Sequence, residues 1–352
     1  MSTVGDIEAK LGLIPGEVTE LLRAVDQAQG RQTAFAIQFP ERLDSLKKIA
    51  RIQSTEASNE IEGITAPTAR IKALVEEKAT PLNRSEEEIA GYRLVLDLIH
   101  TTKAEHIPFT ENVILQFHQQ LYSFSPGRGG EYKNADNEVT EELADGTTRV
   151  RFKPTPAWKT KDEMRLLHEA YNAASASGRH HPLVLTAGYI LDFLLIHPFR
   201  DGNGRMSRLL TLLLLYRSEY DVGRFISVEK IIADSKETYY EALAASTTDW
   251  EVGKNDPVPW LRYLLSVLIR AYKEFEARTG ALGPKGAKSE AIRAFVRSSI
   301  ATEFTIKDVR KACPGVSDDL IRKVLADLRG EGVVESVTKG PSARYRRLRT
   351  DF

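Results

Sequence analysis

Residues 187–215, AGYILDFLLIHPFRDGNGRMSRLLTLLLL, join two strongly apolar runs through a short polar turn. Runs of this length and apolarity predict two buried α-helices. Pro198 favours an end to the first helix, while Gly202 and Gly204 allow a tight turn and a close approach of the backbone to a ligand. The second helix is expected to begin near Arg205, with its free N–H groups and positive dipole end pointing into the loop. The stretch therefore predicts an anion-binding loop between two core helices.

The charged side chains of this loop are the types that a polyphosphate and a divalent cation require. Arg205 and Arg208 are three residues apart and are expected on one face of the second helix, beside its N-terminus. Asp201 supplies a hard oxygen ligand suited to Mg²⁺, and His197 can act as a general base near neutral pH. No Walker A pattern occurs in the chain, so we expect a phosphate site that differs from the P-loop.

Helical periodicity dominates the rest of the chain and predicts a mainly α fold. It is clear in residues 18–29 (VTELLRAVDQAQ) and again in residues 86–102 (EEEIAGYRLVLDLIHTT). Residues 129–156 differ, because the turn signal Asp145-Gly146 separates two short runs of alternating hydrophobicity. We interpret this interval as a β-hairpin.

The C-terminal part of the chain is predicted to be a separate basic domain. Gly, Pro and Lys cluster at residues 280–289, and beyond them three helical runs precede two short strands, which predicts a winged helix-turn-helix. Residues 284–350 hold 15 Lys and Arg against 8 Asp and Glu, in a chain of zero net charge. DNA contact and protein docking both stay open. The candidate DNA contacts are Arg322 and Lys323 of the predicted recognition helix, which starts at Ser317, and Lys339, Arg344, Arg346, Arg347 and Arg349 of the wing.

The amino-acid composition excludes several classes of protein. Hydrophobic residues make up 42% and charged residues 28%, as in ordinary globular proteins. The single cysteine, Cys313, excludes an internal disulfide framework and a multi-cysteine zinc site, and is typical of a reducing compartment. His168-Glu169 lacks the second histidine of a zinc-protease motif. Without a signal-peptide pattern or a long apolar span, we expect a cytoplasmic protein with no membrane partner.

The polar loop resembles the active-site motif of the Fic family, HxFx(D/E)GNGRxxR, at every specified position. The eight matches are His197, Phe199, Asp201, Gly202, Asn203, Gly204, Arg205 and Arg208. The likeness covers roughly residues 50–265, and the predicted hairpin is similar to the flap with which the family positions its target. It implies a helical Fic core with a β-hairpin flap.

The resemblance also implies an activity. Fic enzymes of this type are protein adenylyltransferases, which transfer AMP from ATP to a Ser, Thr or Tyr hydroxyl of a target protein, and the chain itself stays open as a target. By likeness His197 would be the general base and Asp201 would hold Mg²⁺ between the α- and β-phosphates. The phosphates would be held by Gly202, Asn203 and Gly204. Arg205 would contact the β-phosphate and Arg208 the γ-phosphate. Tyr240 would line the adenine pocket.

Residues 58–63, SNEIEG, resemble the family's inhibitory signature (S/T)xxxE(G/N) at Ser58, Glu62 and Gly63. In the family this glutamate pairs with the second arginine of the motif, which is Arg208 here. Such a pair would occupy the group that should orient the γ-phosphate. The resemblance therefore implies an enzyme that is autoinhibited in cis.

The predicted organisation has four parts. They are an N-terminal helical region over 1–105 with an inhibitory helix near 54–63, a Fic core over 106–279, a linker over 280–289 and a winged-helix domain over 290–352. Three other functions stay open: a related phosphate transfer, removal of AMP from a protein, and a non-enzymatic DNA-binding regulator. A homodimer also stays open.

Overall fold

The structure is a computed structural model, and it divides into two compact units, Met1–Phe275 and Glu276–Phe352. It describes residues 3–7, 10, 14–38, 43–125, 129–142, 148–281, 289, 292–293, 295–296, 303–313, 316–338 and 344–348. Most of the predicted linker 280–289 lies outside the described residues. Within the described part of the chain, no helix has the length and apolarity needed to cross a membrane.

The first unit is built from α-helices and one β-hairpin, which confirms the predicted mainly α fold. Its helices are α1 (Gly16–Gln38), α2 (Asp44–Ile61), α3 (Thr68–Val75), α4 (Arg84–Thr101), α5 (Glu111–Leu121), α6 (Ala157–Ser177), α7 (Pro182–Ile196), α8 (Asn203–Arg217), α9 (Val228–Asp234), α10 (Lys236–Thr247) and α11 (Val258–Ala281). The hairpin pairs β1 (Val139–Glu142) with β2 (Thr148–Phe152) in antiparallel fashion. The predicted turn at Asp145-Gly146 lies outside the described residues.

Helices α7 and α8 form the centre of the core of this unit. Nearly every residue of both helices is buried, including the whole run Leu209–Leu215. Fully burying one leucine side chain contributes about 1.5–3 kcal/mol to the free energy of folding. Burial of this run therefore holds α8 firmly in the core. Helix α7 packs on α6 and α8, and α8 also contacts α4 and α2. The loop between α7 and α8 is therefore held at both ends by rigid elements.

Helix α2 ends in a Schellman motif. Gly63 adopts the left-handed conformation with a φ of 76°, which favours glycine. Its N–H donates to the carbonyl oxygen of Glu60 at 2.9 Å, and the N–H of Ile64 donates to that of Asn59 at 3.0 Å. The glycine of the predicted inhibitory signature thus ends the helix at Ile61, with Glu62 as its C-cap, and fixes the direction of the Glu62 side chain.

Helices α4 and α5 touch through their backbones at Gly91. A Cβ atom added there would overlap the carbonyl oxygen of Leu121 and lie 2.7 Å from its carbonyl carbon. Because backbone atoms cannot move aside as a flexible side chain can, only glycine allows this helix crossing.

The second unit contains a three-stranded antiparallel sheet and two helices with described bounds, and its described residues 289, 292, 293, 295 and 296 are also helical. The elements are β3 (Glu303–Thr305), α12 (Ile306–Ala312), α13 (Asp318–Gly330), β4 (Val334–Ser336) and β5 (Arg344–Arg347), with strand order β3-β5-β4. Its core includes Phe304, Ile321, Leu325 and the buried Cys313. The first predicted helix of the winged helix falls largely outside the described residues, so that assignment stays a prediction.

The close approach at Gly91 gives a test of the fold. We expect Gly91→Ala to lower the free energy of unfolding by ~1–3 kcal/mol or more, because the added methyl group forces α4 and α5 apart. Gly30→Ala is the matched control, since Gly30 lies in α1 with no atom near its Cβ position and the change should stabilise by ~0.5–1 kcal/mol. Chemical denaturation measures both. Equal effects of the two substitutions would contradict the helix crossing.

Candidate active site

His197 follows the last residue of α7 and adopts a left-handed conformation, with φ 51° and ψ 60°. This backbone costs energy for a residue other than glycine, and such strain is typical of functional positions. Its N–H donates to the carbonyl oxygen of Phe193 at 2.9 Å. Its Nδ1 lies 3.3 Å from the carbonyl oxygen of Leu194, which can only accept, so Nδ1 carries the proton. The lone pair is left on Nε2.

The same histidine is neutral at physiological pH. Burial lowers the pKa of His197 to about 4, although the hydrogen bond to Leu194 acts in the opposite direction. Nearby Lys133 lowers it further. A neutral imidazole with a free Nε2 is the form that a general base needs.

The buried side chain of Asn203 holds the loop through two hydrogen bonds. Its side-chain oxygen accepts the N–H of Phe199 at 2.9 Å, and its side-chain nitrogen donates to the carbonyl oxygen of Phe199 at 2.8 Å. Both polar atoms of the buried amide take part in this bracing, and the backbone N–H of Asn203 has no partner within α8. The phosphate-binding role of Asn203 stays a prediction.

His118 of α5 supports the loop from the other side. Its ring stacks on Phe199 with centroids 3.7 Å apart. Its Nδ1 accepts the N–H of Gly130 at 3.0 Å, so its Nε2 carries the proton and donates to the carbonyl oxygen of Asp201, also at 3.0 Å. Burial lowers the pKa of His118 to about 4. A lone histidine in an amphipathic helix gives no sequence signal for this role.

Lys133 and Asn137 join the segment before the hairpin to the same loop. The backbone N–H of Lys133 donates to the carbonyl oxygen of Pro198 at 2.8 Å, and its Nζ donates to that of Ile196 at 3.1 Å. Asn137 donates to the carbonyl oxygen of Phe199 at 3.2 Å. The start of the hairpin is therefore fixed relative to His197.

Asp201 is the exposed carboxylate of the loop. Its side chain is 59% exposed, and its Oδ1 accepts the N–H of Gly202 at 2.6 Å. Gly202 caps α8 with a φ of 80°. Among the residues that the structure describes, no cluster of three or more Asp, Glu, His or Cys could hold a metal ion by itself. One exposed carboxylate suits a Mg²⁺ ion that takes its other ligands from substrate phosphates and water.

Arg208 is 3% exposed and contacts the end of α2. Its Nε donates to Ser58 Oγ at 2.7 Å, and its Nη2 donates to the carbonyl oxygen of Ser58 at 2.8 Å and to Glu62 Oε1 at 2.7 Å. Burial is the largest single influence and opposes its charge, but Glu62, Tyr239 and Tyr92 together raise the pKa of the guanidinium above its ordinary value. A Cβ added at Gly204 would overlap Glu62 Oε1, so the Glu62 carboxylate lies against the first turn of α8.

Further polar contacts hold α2 in this position. Ser54 Oγ donates to the buried Glu229 of α9 at 2.7 Å, and Tyr92 of α4 donates to the other oxygen of Glu229 at 2.9 Å. Burial raises the pKa of Glu229. At the end of α2, Lys236 Nζ donates to the carbonyl oxygen of Ile61 at 3.0 Å, where a cation also complements the helix dipole.

Arg205 has a different set of partners. It is 1% exposed, and its Nη2 lies 2.8 Å from Glu88 Oε2 and donates to the Tyr122 hydroxyl at 2.9 Å. Its Nε and Nη1 have no hydrogen-bond partner in the described part of the chain. Arg205 and Arg208 therefore have separate protein partners, and their common contact with a polyphosphate stays a prediction. A buried guanidinium needs a carboxylate partner, and each arginine has its own.

Tyr240 lies on α10 in edge contact with Tyr239, with ring centroids 5.1 Å apart. Tyr239 lies close enough to the Arg208 guanidinium to affect its pKa. The tyrosines of α10 are therefore near Arg208, and the adenine-binding role of Tyr240 stays a prediction.

Ion pairs occupy part of the basic surface predicted to contact DNA. Arg346 pairs with Glu303 of β3 at 2.7 Å, and Arg322 pairs with Asp319 at 3.1 Å. Asp319 and Asp318 also make the first turn of α13 acidic, which is unfavourable beside DNA phosphates. Lys339 and Arg349 lie outside the described residues. DNA contact stays a prediction.

Known proteins match both the loop and the fold around it. Residues 108–215 match the Fic/DOC family. The chain carries a Fic domain. Proteins named protein adenylyltransferase Fic from Drosophila erecta and Drosophila melanogaster are 30% identical to it over 180 residues. These matches cover 49% of this chain and 34% of each relative, so the chain matches about a third of the length of these curated relatives.

Solved structures of Fic proteins share the fold. A Fic family protein from Desulfovibrio desulfuricans has a TM-score of 0.62 and 23% identity, over 95% of this chain and 97% of that one. A Fic domain containing signaling protein from Bacteroides thetaiotaomicron has a TM-score of 0.61 and 25% identity, over 71% of this chain and 94% of that one. Fic-1 from C. elegans has a TM-score of 0.58 and 18% identity, covering 76% and 74%.

The buried histidines predict how stability depends on pH. Burial lowers the pKa of His100 to about 3 and that of His118 to about 4, so the folded protein keeps both neutral below the ordinary histidine value of 6.5. The unfolded chain binds these protons, and stability therefore falls as pH drops from about 6.5 towards 4. Each histidine contributes up to ~1.4 kcal/mol per pH unit. We expect His118→Gln to reduce the slope in urea unfolding between pH 6 and 5; an unchanged slope would contradict the assignment.

Proposed function

We propose that this Fic protein transfers AMP from ATP to a Ser, Thr or Tyr hydroxyl of a protein. The observation that carries the proposal is the arrangement of one loop, where a neutral His197 with a free Nε2 precedes a helix N-terminus that holds Arg205 and Arg208. The Drosophila relatives named as adenylyltransferases support the same reaction.

His197 would start the reaction as the general base. The target hydroxyl gives its proton to Nε2 while its oxygen attacks the α-phosphorus of ATP. The bond from the α-phosphorus to the oxygen that bridges to the β-phosphate breaks, and pyrophosphate leaves with the bonding electrons. AMP stays on the target as a phosphodiester, and His197 returns its proton to solvent.

The first turn of α8 would bind the phosphates. Its unpartnered backbone N–H groups and positive dipole end favour an anion. The free Nε and Nη1 of Arg205 and the guanidinium of Arg208 add charged donors. Mg²⁺ held by Asp201 would neutralise phosphate charge when bound. These groups stabilise the charge that develops on the leaving pyrophosphate.

We also propose that Glu62 keeps the resting enzyme slow. Its carboxylate pairs with Arg208 and lies against Gly204, which is the space and the charge partner that a terminal phosphate would use. A second anion at the same place is repelled, so ATP binds without that contact. The bonds from Ser54 and Lys236 hold α2 in the inhibiting position.

Labelled ATP tests the reaction. We expect label at the α-phosphate to be transferred to protein in the presence of Mg²⁺, label at the γ-phosphate not to be transferred, and His197→Ala to lose at least ~100-fold in rate, the usual contribution of a general base. Protein-bound radioactivity after gel electrophoresis is the measurement. Transfer of the γ-label would instead indicate phosphoryl transfer, and no transfer of either label by any variant would refute the proposal.

A substitution at the end of α2 tests the inhibition. We expect Glu62→Gly to raise the rate of AMP transfer at least ~10-fold, because it removes one charge-assisted hydrogen bond that competes with the phosphate. Glu60→Gly is the matched control, since it introduces the same residue at the same end of α2 but removes an exposed side chain. If the two variants have equal rates, α2 does not inhibit through Glu62.

A further inference from the structure

Glu88 of α4 lies between two arginines beside the active-site loop. It is 4% exposed, and its Oε2 lies 2.8 Å from Arg205 Nη2, while its Oε1 accepts Arg84 Nε at 2.8 Å. A buried carboxylate that bridges two guanidiniums fixes the orientation of both. The one negative charge of Glu88 is shared by these two positive charges.

Arg84 is the accessible one of the two arginines that Glu88 holds. Its side chain is 62% exposed, and its Nη2 lies 4.0 Å from Asp201 Oδ2. Asp201 is the carboxylate proposed to bring Mg²⁺ to the phosphates. The guanidinium of Arg84 is therefore anchored at Nε by Glu88, while its outer nitrogens lie at the mouth of the loop.

Arg205 needs a further partner. Its Nη2 is used by Glu88 and Tyr122, while its Nε and Nη1 are buried without a hydrogen-bond partner among the described residues. An unpaired buried N–H group costs free energy, and a bound anion removes that cost. Glu88 therefore holds Arg205 by one edge and leaves the other donors for a ligand.

We propose that Glu88 is the positioning residue of the phosphate site, acting through Arg205, and that Arg84 is a further contact for the β- and γ-phosphates of ATP. The proposal rests on the proposed function, because it takes a nucleoside triphosphate as the ligand of the loop. The proposal predicts that substituting either residue weakens binding of the polyphosphate and leaves binding of the nucleoside unchanged.

The same helix provides a matched control. Glu86 is also 4% exposed, and its Oε2 accepts Arg70 Nη2 at 2.6 Å and the N–H of Leu82 at 2.9 Å. Its arginine lies on α3 and not on the loop. Glu86→Gln and Glu88→Gln each remove the charge of one buried carboxylate that pairs with arginine, so a general loss of stability affects both.

The test measures binding of Mg²⁺-ATP and of AMP by calorimetry, in full-length Glu62→Gly protein so that the inhibitory carboxylate does not interfere. We expect Glu88→Gln and Arg84→Ala each to weaken ATP binding about 10-fold, as for one charge-assisted hydrogen bond, and to leave AMP binding within about 2-fold. Arg84→Lys, which keeps the charge without the fork, should recover part of the ATP affinity. Glu86→Gln should leave the ATP-to-AMP affinity ratio unchanged.

Several results would overturn the proposal. Equal ATP-to-AMP affinity ratios for Glu88→Gln and Glu86→Gln would show that Glu88 has only a structural role. If Glu88→Gln does not fold, Arg84→Ala still tests the phosphate contact, because its exposed side chain can be removed without unfolding the protein. An unchanged ATP affinity of Arg84→Ala would refute the role of Arg84. Selective loss of ATP binding in a protein that transfers no label would support this inference while refuting AMP transfer.

Discussion

A guanidinium group cannot lie in a protein core without a partner, and α8 places two of them there. Arg205 reaches Glu88 on α4, and Arg208 reaches Ser58 and Glu62 on α2. Removing one partner of such a pair typically costs about 3–5 kcal/mol, so these contacts strongly constrain how α2 and α4 pack. The site is therefore assembled around the two arginines, and the surrounding helices are arranged to satisfy them.

The loop is rigid before any ligand binds. The amide of Asn203 holds both backbone polar groups of Phe199, and the ring of His118 covers the same residue. Lys133 fixes the backbone just before it at Pro198. A site whose donors are already in place does not have to reorganise during the reaction, which is the usual source of electrostatic catalysis.

Local sequence was sufficient to predict the two helices that hold this loop. The apolar runs around residues 197–208 predict two core helices, and the polar residues between them indicate an anion site. Glu88, His118 and Lys133 could not be predicted in the same way, because they reach the loop from segments 60–120 residues away and carry no motif of their own. The separate partners of Arg205 and Arg208 also depend on tertiary packing, which a spacing of three residues does not describe.

The buried face of α2 is made of small and polar residues over its last turns before the buried Ile61. Between Ser54 and Asn59, its buried positions are Ser54, Thr55, Ala57, Ser58 and Asn59. When hydroxyl and amide groups leave a protein contact, water can replace their hydrogen bonds at little net cost, whereas an exposed leucine face would invite aggregation. Under the proposed inhibition, release of this part of α2 would expose mainly small and polar groups together with Ile61, and little apolar surface for aggregation.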